Sequence, residues 1–137
     1  MAPRRRDDRP EGRYLNRIDA GERLADALAG EAGPGTLVLG LPRGGVPVAA
    51  EVARALGAEL DVLVARKVGA PRQPELALGA VTASGELYLD TALVENLRVS
   101  REELDAIIAR ERDEATRRET RFRSERPFPE VAGRTVI

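Results

Sequence analysis

The sequence has no cysteine and no histidine among its 137 residues. Without cysteine there are no disulfide bonds and no thiolate metal sites. Without histidine, the common zinc ligand sets and every catalytic arrangement that uses an imidazole base are excluded. Tryptophan is also missing, and aromatic residues make up only 3% of the chain. The hydrophobic core must therefore come from Leu, Val, Ile and Ala side chains.

An excess of one charge and a long apolar run are missing as well. The chain has 22 Lys and Arg residues against 23 Asp and Glu residues, a formal net charge of −1. Proteins that coat nucleic acids usually carry a marked basic excess, so no nucleic-acid partner is predicted. No apolar run approaches the ~20 residues of a membrane span, and no signal-peptide core is visible. We therefore predict a cytoplasmic protein without a membrane partner.

The length fits one domain that follows a polar tail. Residues 1–13 are polar and contain five arginines and three acidic residues. Such a composition favours a flexible tail, with a weak basic arm as the alternative. The domain is predicted to cover residues 14–137.

The first half of the domain has the pattern of a β-loop-α-β unit. An acidic cap at Asp19 with Glu22 three residues later predicts the start of a helix. Residues 36–40 and 60–65 are apolar without alternation, which is typical of buried parallel strands. The helix between them should begin near Val46 and end before Gly57, and the ~20-residue spacing allows one parallel crossover. The predicted fold class is therefore α/β, a parallel sheet flanked by helices.

The second half adds a hairpin and a long helix. Residues 69–74 hold two prolines and a glycine and are predicted to form a loop. Ser84-Gly85 separates two short apolar runs and indicates a β-hairpin excursion. A capping box at Ser100 predicts a helix to about Phe122, whose second half is so rich in alternating charges that it should be a solvated face. Residues 133–137 predict a last strand, which ends the sequence and favours either a fragment or an edge strand.

The turn Pro42-Arg43-Gly44-Gly45 has the chemistry of an anion site. It follows the carboxyl end of the first strand and precedes a helix, where parallel sheets bind anionic ligands. Glycines allow close approach of a ligand to the backbone and positive φ angles, and Arg43 can hold a phosphate with two hydrogen bonds. A tight strand-to-helix connection without a ligand is the alternative.

Two basic residues, Arg66 and Lys67, follow the second predicted strand and are expected at the same edge of the sheet. Lys67 is the only lysine among the 22 basic residues. Lysine offers a compact charge with rotatable donors, whereas arginine offers a rigid fork. A specific role for Lys67 is one interpretation, and a strand end that reaches solvent is the other.

The quoted segments resemble the type I phosphoribosyltransferase family. The matching residues are Asp19-Ala20-Gly21 with Leu24-Ala25, VLGLPRGGVPVAAEVA from Val38, and LDVLVARKVGAPRQPELALGAV from Leu60. The resemblance implies transfer of ribose 5-phosphate from phosphoribosyl pyrophosphate (PRPP) to a nucleobase or related nucleophile. It also implies release of pyrophosphate, and Mg²⁺ bound through PRPP or pyrophosphate rather than by a metal site of the protein.

The resemblance also assigns residues. Pro42, Arg43, Gly44 and Gly45 correspond to the pyrophosphate-binding loop, and Arg66 and Lys67 to the catalytic basic pair that helps neutralise the pyrophosphate. Residues 69–90 correspond to a mobile loop and hairpin over the site. The acceptor is not identified, because its contacts in this family lie mainly outside the matched segments.

The sequence departs from the family's pattern at its end. The expected signature, a strand that leads into two acidic residues and a Gly/Thr-rich loop for the ribose phosphate, would begin at Arg134, and the sequence ends at Ile137. The resemblance thus implies an incomplete fold that is inactive as this chain alone. The alternatives are a non-catalytic module that binds pyrophosphate or a nucleotide, and a fragment completed by another chain or by domain swapping in a homo-oligomer.

Overall fold

The computed structural model describes residues 12–137, so the predicted tail lies almost entirely outside the described residues. The described chain forms two compact units, one of residues 12–40, 44–60 and 131–137 and one of residues 41–43 and 61–130. The helices and strands, in chain order, are α1 (Arg17–Leu28), β1 (Leu37–Gly40), α2 (Gly45–Leu56), β2 (Glu59–Val62), β3 (Ala65–Ala70), β4 (Gln73–Thr82), β5 (Leu87–Leu89), α3 (Thr91–Asn96) and α4 (Arg101–Arg123).

Strand β1 is the centre of the first unit. It pairs with β2, and the Glu59 N–H donates to the Thr36 carbonyl at 3.2 Å. The predicted last strand also pairs with β1, in parallel: the Leu37 N–H donates to Thr135 O, and the Ile137 N–H donates to Leu37 O, both at 2.9 Å. β1 thus has a hydrogen-bonded neighbour on each side, β2 on one and the last residues on the other. This central position explains why its apolar residues do not alternate with polar ones.

Helix α2 packs closely on β1 because of a glycine in the strand. A Cβ on Gly40 would lie 3.0 Å from both the Ala49 Cβ and the Val46 Cα. The helix ends as predicted at Gly57, whose φ of 63° is the left-handed conformation that glycine adopts freely. The buried core of this unit consists of small and branched side chains from both helices and β1, namely Ala25, Val38, Ala49, Val52 and Ala53.

The predicted cap of α1 at Asp19 is wrong by one turn. The helix begins at Arg17, and the Asn16 side chain is the cap, which accepts from the Asp19 N–H at 2.9 Å. Asp19 is buried inside the first turn, where its carboxylate accepts from the Leu15 N–H at 2.9 Å. The short sequence pattern was ambiguous because Asn and Asp are equally good caps and both occur here, three residues apart.

The second unit contains a three-stranded antiparallel sheet in the order β3-β4-β5. The predicted strand over residues 60–65 is therefore two strands, since β2 ends at Val62 and β3 begins at Ala65. The predicted loop over residues 69–74 is also wrong: β3 runs to Ala70 and β4 starts at Gln73, with only Pro71 and Arg72 in the turn. The break between β2 and β3 is not visible in the sequence, because residues 62–65 are apolar and a strand boundary does not change the pattern of an apolar run.

The second hairpin and the long helix agree with the sequence predictions. β4 and β5 are joined around Ser84-Gly85. Ser100 and Glu103 form the predicted capping box at the start of α4. Residues Ile107 and Ala115 of α4 are buried, and Ile107 shares a core with Val68, Ala70, Leu78 and Val81 of the sheet.

The prediction that the second half of α4 is a solvated face is wrong at Arg123, which is only 3% exposed. Its Nε donates to the buried Asp61 carboxylate at 3.1 Å, and its Nη1 donates to Glu119 at 2.6 Å. Its Nη2 donates to the Val62 carbonyl, and its guanidinium lies 4.3 Å from the centroid of the Phe128 ring. A charge pattern along one helix does not reveal a partner 62 residues away.

The hairpin turn gives a pH-dependent prediction. The hydroxyls of Ser84 and Thr82 donate to the Glu86 carboxylate and lower its pKa to about 2. The contribution of this carboxylate to stability is therefore present above its usual pKa and is lost as the pH falls through about 2. An NMR titration of the side-chain carboxyl should show this pKa, and Ser84→Ala should raise it. A wild-type pKa in the usual range for Glu would contradict the prediction.

The predicted α/β class is confirmed, with parallel pairing in the first unit and an antiparallel sheet flanked by helices in the second. No helix among residues 12–137 is long and apolar enough to cross a membrane.

Candidate functional site

The turn 42–45 lies where the sequence predicts it, between the carboxyl end of β1 and the first turn of α2. Gly44 is the N-cap residue of α2 and, having no side chain, offers no acceptor to the first N–H groups of the helix. Arg43 and Gly44 are both exposed. Uncapped N–H groups and the positive end of the helix dipole thus meet at an accessible surface, which favours an anionic ligand.

The glycines of this turn do not need positive φ angles. Gly44 has φ −64° and ψ −29°, and Gly45 is the first residue of α2. The freedom of glycine to adopt a positive φ is therefore not used here, since the connection follows an ordinary right-handed path. Their remaining contribution is steric: without side chains, the backbone of Gly44 and Gly45 is open to close approach.

Arg43 is the cation of the turn. Its side chain is exposed, and it forms no hydrogen bond or ion pair with residues 12–137. The peptide bond between Pro42 and Arg43 is cis. An arginine without a carboxylate partner keeps both donor edges available to a ligand.

The basic pair is not at the end of a parallel strand. Arg66 and Lys67 lie inside β3, where they pair with Val81 and Ala80 of β4. Because side chains alternate along a strand, the two residues point to opposite faces of the antiparallel sheet. The predicted placement at the carboxyl edge of β2 is therefore wrong, and each residue has a different environment.

Arg66 faces helix α4. Its Nε donates to Glu111 Oε2 at 2.9 Å, and both side chains are largely shielded, at 29% and 14% exposure. The pair joins the sheet to the helix that covers it. An anion that bound Arg66 would have to compete with this carboxylate.

Lys67 is more available. Its ammonium donates to the Glu75 carbonyl at 3.3 Å and contacts Glu75 Oε2 at 3.4 Å. The Glu75 side chain is 96% exposed, so this ion pair is solvated and contributes little. A ligand with greater charge could displace it at low cost.

Both basic residues line a cavity of about 670 Å³ within the second unit. Its other charged groups are Glu75, Glu103, Arg110 and Glu111, and Ile107 and Ala70 contribute apolar surface. The lining contains three cations and three carboxylates. No cluster of three or more acidic side chains that could hold a metal ion occurs among residues 12–137.

Arg17, the first residue of α1, lies near the turn although no sequence pattern predicts it. Its guanidinium lies against Gly44: Nε and Nη2 are each 3.5 Å from the position that a Cβ on Gly44 would occupy. Nothing in the local sequence signals this contact, because the two residues are far apart in the chain and Gly44 caps a different helix. Only the packing of α1 on α2 brings them together.

The comparisons with known proteins agree with the resemblance. Two curated proteins of Mycobacterium tuberculosis, from strains CDC 1551 and H37Rv, are each 46% identical to the chain over 124 residues, 90% of its length. They are named "Putative phosphoribosyl transferase" MT0597 and Rv0571c. The chain spans 28% of the length of these relatives. No family model matches the chain.

A solved structure is also similar. TT1426 from Thermus thermophilus shares 48% sequence identity with the chain and superposes with a TM-score of 0.77. The match covers 90% of this chain and 59% of TT1426. Over the matched residues the chain is thus similar to proteins named as phosphoribosyl transferases, and it shares the fold of TT1426.

Proposed function

We propose that this chain carries the pyrophosphate-binding part of a phosphoribosyltransferase. In this function, ribose 5-phosphate passes from PRPP to a nucleobase or related nucleophile and pyrophosphate leaves. The observation that carries the proposal is the exposed turn 42–45, an uncapped helix start with an arginine that has no partner among residues 12–137. The similarity to relatives named as phosphoribosyl transferases over 90% of the chain supports it.

The reaction suits a site without histidine or cysteine. As the bond between the ribose carbon and pyrophosphate breaks, positive charge develops on the carbon and negative charge on the departing pyrophosphate. A protein accelerates this step with fixed N–H donors and cations around the leaving group and by excluding water. Mg²⁺ is proposed to arrive bound to PRPP or pyrophosphate.

The role proposed for each group follows from its hydrogen-bond donors, its charge and its availability to a ligand. The N–H groups at the start of α2 hold the diphosphate oxygens, and Arg43 adds a bidentate contact. Lys67, whose only carboxylate partner among residues 12–137 is solvated, supplies a mobile charge. Arg66 is the less available of the two strand residues, because Glu111 already occupies its Nε.

Isothermal titration calorimetry of the 137-residue chain tests the proposal, with Mg²⁺-pyrophosphate and Mg²⁺-PRPP as ligands. Saturable binding of both is expected. PRPP turnover, measured as pyrophosphate release with a panel of nucleobases, would support the transferase. Binding without turnover would favour a non-catalytic pyrophosphate-binding module, and no binding of either ligand would refute the proposal.

Arg43→Ala and Lys67→Ala should each weaken the binding of Mg²⁺-pyrophosphate about 10- to 100-fold. The reason is the loss of one charge-assisted contact, worth about 1.5–3 kcal/mol. Dissociation constants from calorimetry provide the measurement, and circular dichroism verifies that the variants are folded.

Two arginines that take no part in the proposed site are the controls. Arg54→Ala removes an exposed charge at the far end of α2, and Arg118→Ala removes one on α4. Both should bind pyrophosphate as the wild type does. If Arg43→Ala and Lys67→Ala, while folded, also bound like the wild type, the residue assignment would be wrong.

A further inference from the structure

The cavity of about 670 Å³ in the second unit lies between one face of α4 and β3 with the turn that follows it. The helix contributes Glu103, Ile107, Arg110 and Glu111 to its lining. These residues are spaced three or four apart around Ile107 and therefore share one face of the helix. Protein cavities that bind small molecules usually measure about 300–1,000 Å³. This cavity therefore has the size of a small-molecule site.

One wall of the cavity is apolar. Ile107 and Ala70 line it, and both belong to the hydrophobic core of the second unit, with exposures of 7% and 4%. Pro71 and Pro74 of the β3–β4 hairpin add two rings. Because core packing and the hairpin fix these groups in place, they form a surface for the apolar part of an organic ligand.

Two arginines of the cavity share one carboxylate. Arg66 Nε donates to Glu111 Oε2 at 2.9 Å, and Arg110 Nε lies 3.6 Å from Glu111 Oε1. Both oxygens of this shielded carboxylate, which is 14% exposed, thus face a guanidinium group. Two cations and one anion leave this cluster with an excess of one positive charge, which favours a negatively charged ligand.

The two other carboxylates of the lining have donors of their own. Glu103 accepts from the Ser100 N–H at 3.0 Å in the capping box of α4. Glu75 contacts the Lys67 ammonium at 3.4 Å and is exposed. Neither carboxylate forms an ion pair with either arginine of the cluster within the described range 12–137. The positive excess at Glu111 is therefore not cancelled by a direct contact.

Arg66 keeps donors that the protein does not use. Its hydrogen bond to Glu111 involves Nε alone, and its Nη1 and Nη2 have no partner in the part of the chain that the structure describes. No buried side-chain nitrogen or oxygen of those residues lacks a hydrogen bond, so these two atoms are accessible. Arg110 forms only the longer contact of 3.6 Å. Since arginine has donors and no acceptor, a ligand at this cluster must bring acceptor oxygens.

We propose that this cavity binds a small organic anion. The carboxylate or phosphate oxygens of the ligand accept from Arg66 and Arg110, and its apolar part lies on Ile107 and Ala70. Glu111 orients both guanidinium groups and competes with the ligand for them. The ligand is additional to the pyrophosphate of the proposed function, because the turn 42–45 takes no part in this site.

NMR titration of the full 137-residue chain tests the site with two probes, phenyl phosphate and benzoate. The probes share an apolar ring and differ in the oxyanion, so their affinities decide between a phosphate and a carboxylate. Saturable shifts of the amide signals of residues 65–75 and 103–111 are expected for at least one probe. Inorganic phosphate, which has no ring, should bind more weakly. Absence of such shifts with both probes, or tighter binding of inorganic phosphate than of either, would refute the proposal.

Two substitutions should change the affinity for the tighter-binding probe in opposite directions. Arg110→Gln removes a cation and should weaken binding about 10-fold. Glu111→Gln keeps an oxygen for the Arg66 Nε but removes the competing charge, so binding should become tighter. Weaker binding of Glu111→Gln would show that this residue only supports the cavity, against the proposed competition. Arg118→Gln, the same change of charge elsewhere on α4, is the control and should bind like the wild type.

The two sites of the chain can succeed or fail separately in these measurements. If folded Arg110→Gln, verified by circular dichroism, binds both probes like the wild type, the anion site at this cluster is refuted even where the chain binds Mg²⁺-pyrophosphate. If the chain binds phenyl phosphate or benzoate at residues 65–75 and 103–111 but neither pyrophosphate nor PRPP, the proposed function falls and the cavity site stands.

Discussion

Replacing Arg123 with alanine is expected to lower the free energy of unfolding by about 3–5 kcal/mol. Arg123 and Asp61 are 3% and 7% exposed and form an ion pair at 3.1 Å. Removing the guanidinium leaves the Asp61 carboxylate buried without its cation, and the cost of an uncompensated buried charge exceeds the value of the pair itself. The variant also loses the contact with the Phe128 ring. Urea denaturation followed by circular dichroism measures the change.

The control is a solvent-exposed ion pair on the same helix, α4. Arg118 contacts Glu114 at 3.1 Å, with side chains 46% and 31% exposed. Arg118→Ala should therefore cost at most about 1 kcal/mol. The double variant Asp61→Leu with Arg123→Leu removes both buried charges and should recover most of the lost stability. A loss below about 1 kcal/mol in Arg123→Ala would show that the buried pair does not act as described.

Gly79→Ala is expected to lower the free energy of unfolding by about 3 kcal/mol. Gly79 lies in β4 opposite Leu89 of β5. A Cβ at this position would be 1.9 Å from the Tyr88 carbonyl oxygen, an atom of the backbone that no rotamer change can move away. The strands must separate locally to accept the methyl group. Thermal and urea unfolding of the variant would measure the destabilisation.

Gly30→Ala is the matched control for this substitution. Gly30 follows the end of α1, has no positive φ, and has nothing within 4 Å of its Cβ position. The same methyl group there should be neutral or slightly stabilising, because alanine restricts the unfolded chain. Equal stability of Gly79→Ala and the wild type would contradict the close approach of β4 and β5.

The local signals in the sequence were strong where one element determines its own limits. The capping box at Ser100, the glycine after α2 and the turn at Ser84-Gly85 all act through neighbouring residues, and the structure confirms each of them. The turn 42–45 also followed from sequence, since a buried strand, two glycines and a helix start are contiguous. Its role in binding pyrophosphate stays a prediction.

The structural features that the sequence did not predict share one cause. The break between β2 and β3, the buried position of Arg123 and the contact of Arg17 with Gly44 all depend on residues far apart in the chain. An apolar run has the same sequence pattern whether it forms one strand or two. The charge pattern of a helix is likewise the same whether one of its arginines is exposed or buried. Hydrophobic periodicity carries no information about which distant group becomes the neighbour.

The sequence alone excluded imidazole and thiol chemistry, and it predicted an anion site at the turn that holds Arg43 and its two glycines. Tertiary structure decided which cations are free to act. Glu111 engages Arg66, Asp61 engages Arg123, and the described chain leaves Arg17 and Arg43 unpaired. The physical reason is that the availability of a charge depends on the carboxylates that folding places next to it, and folding sets those distances through packing.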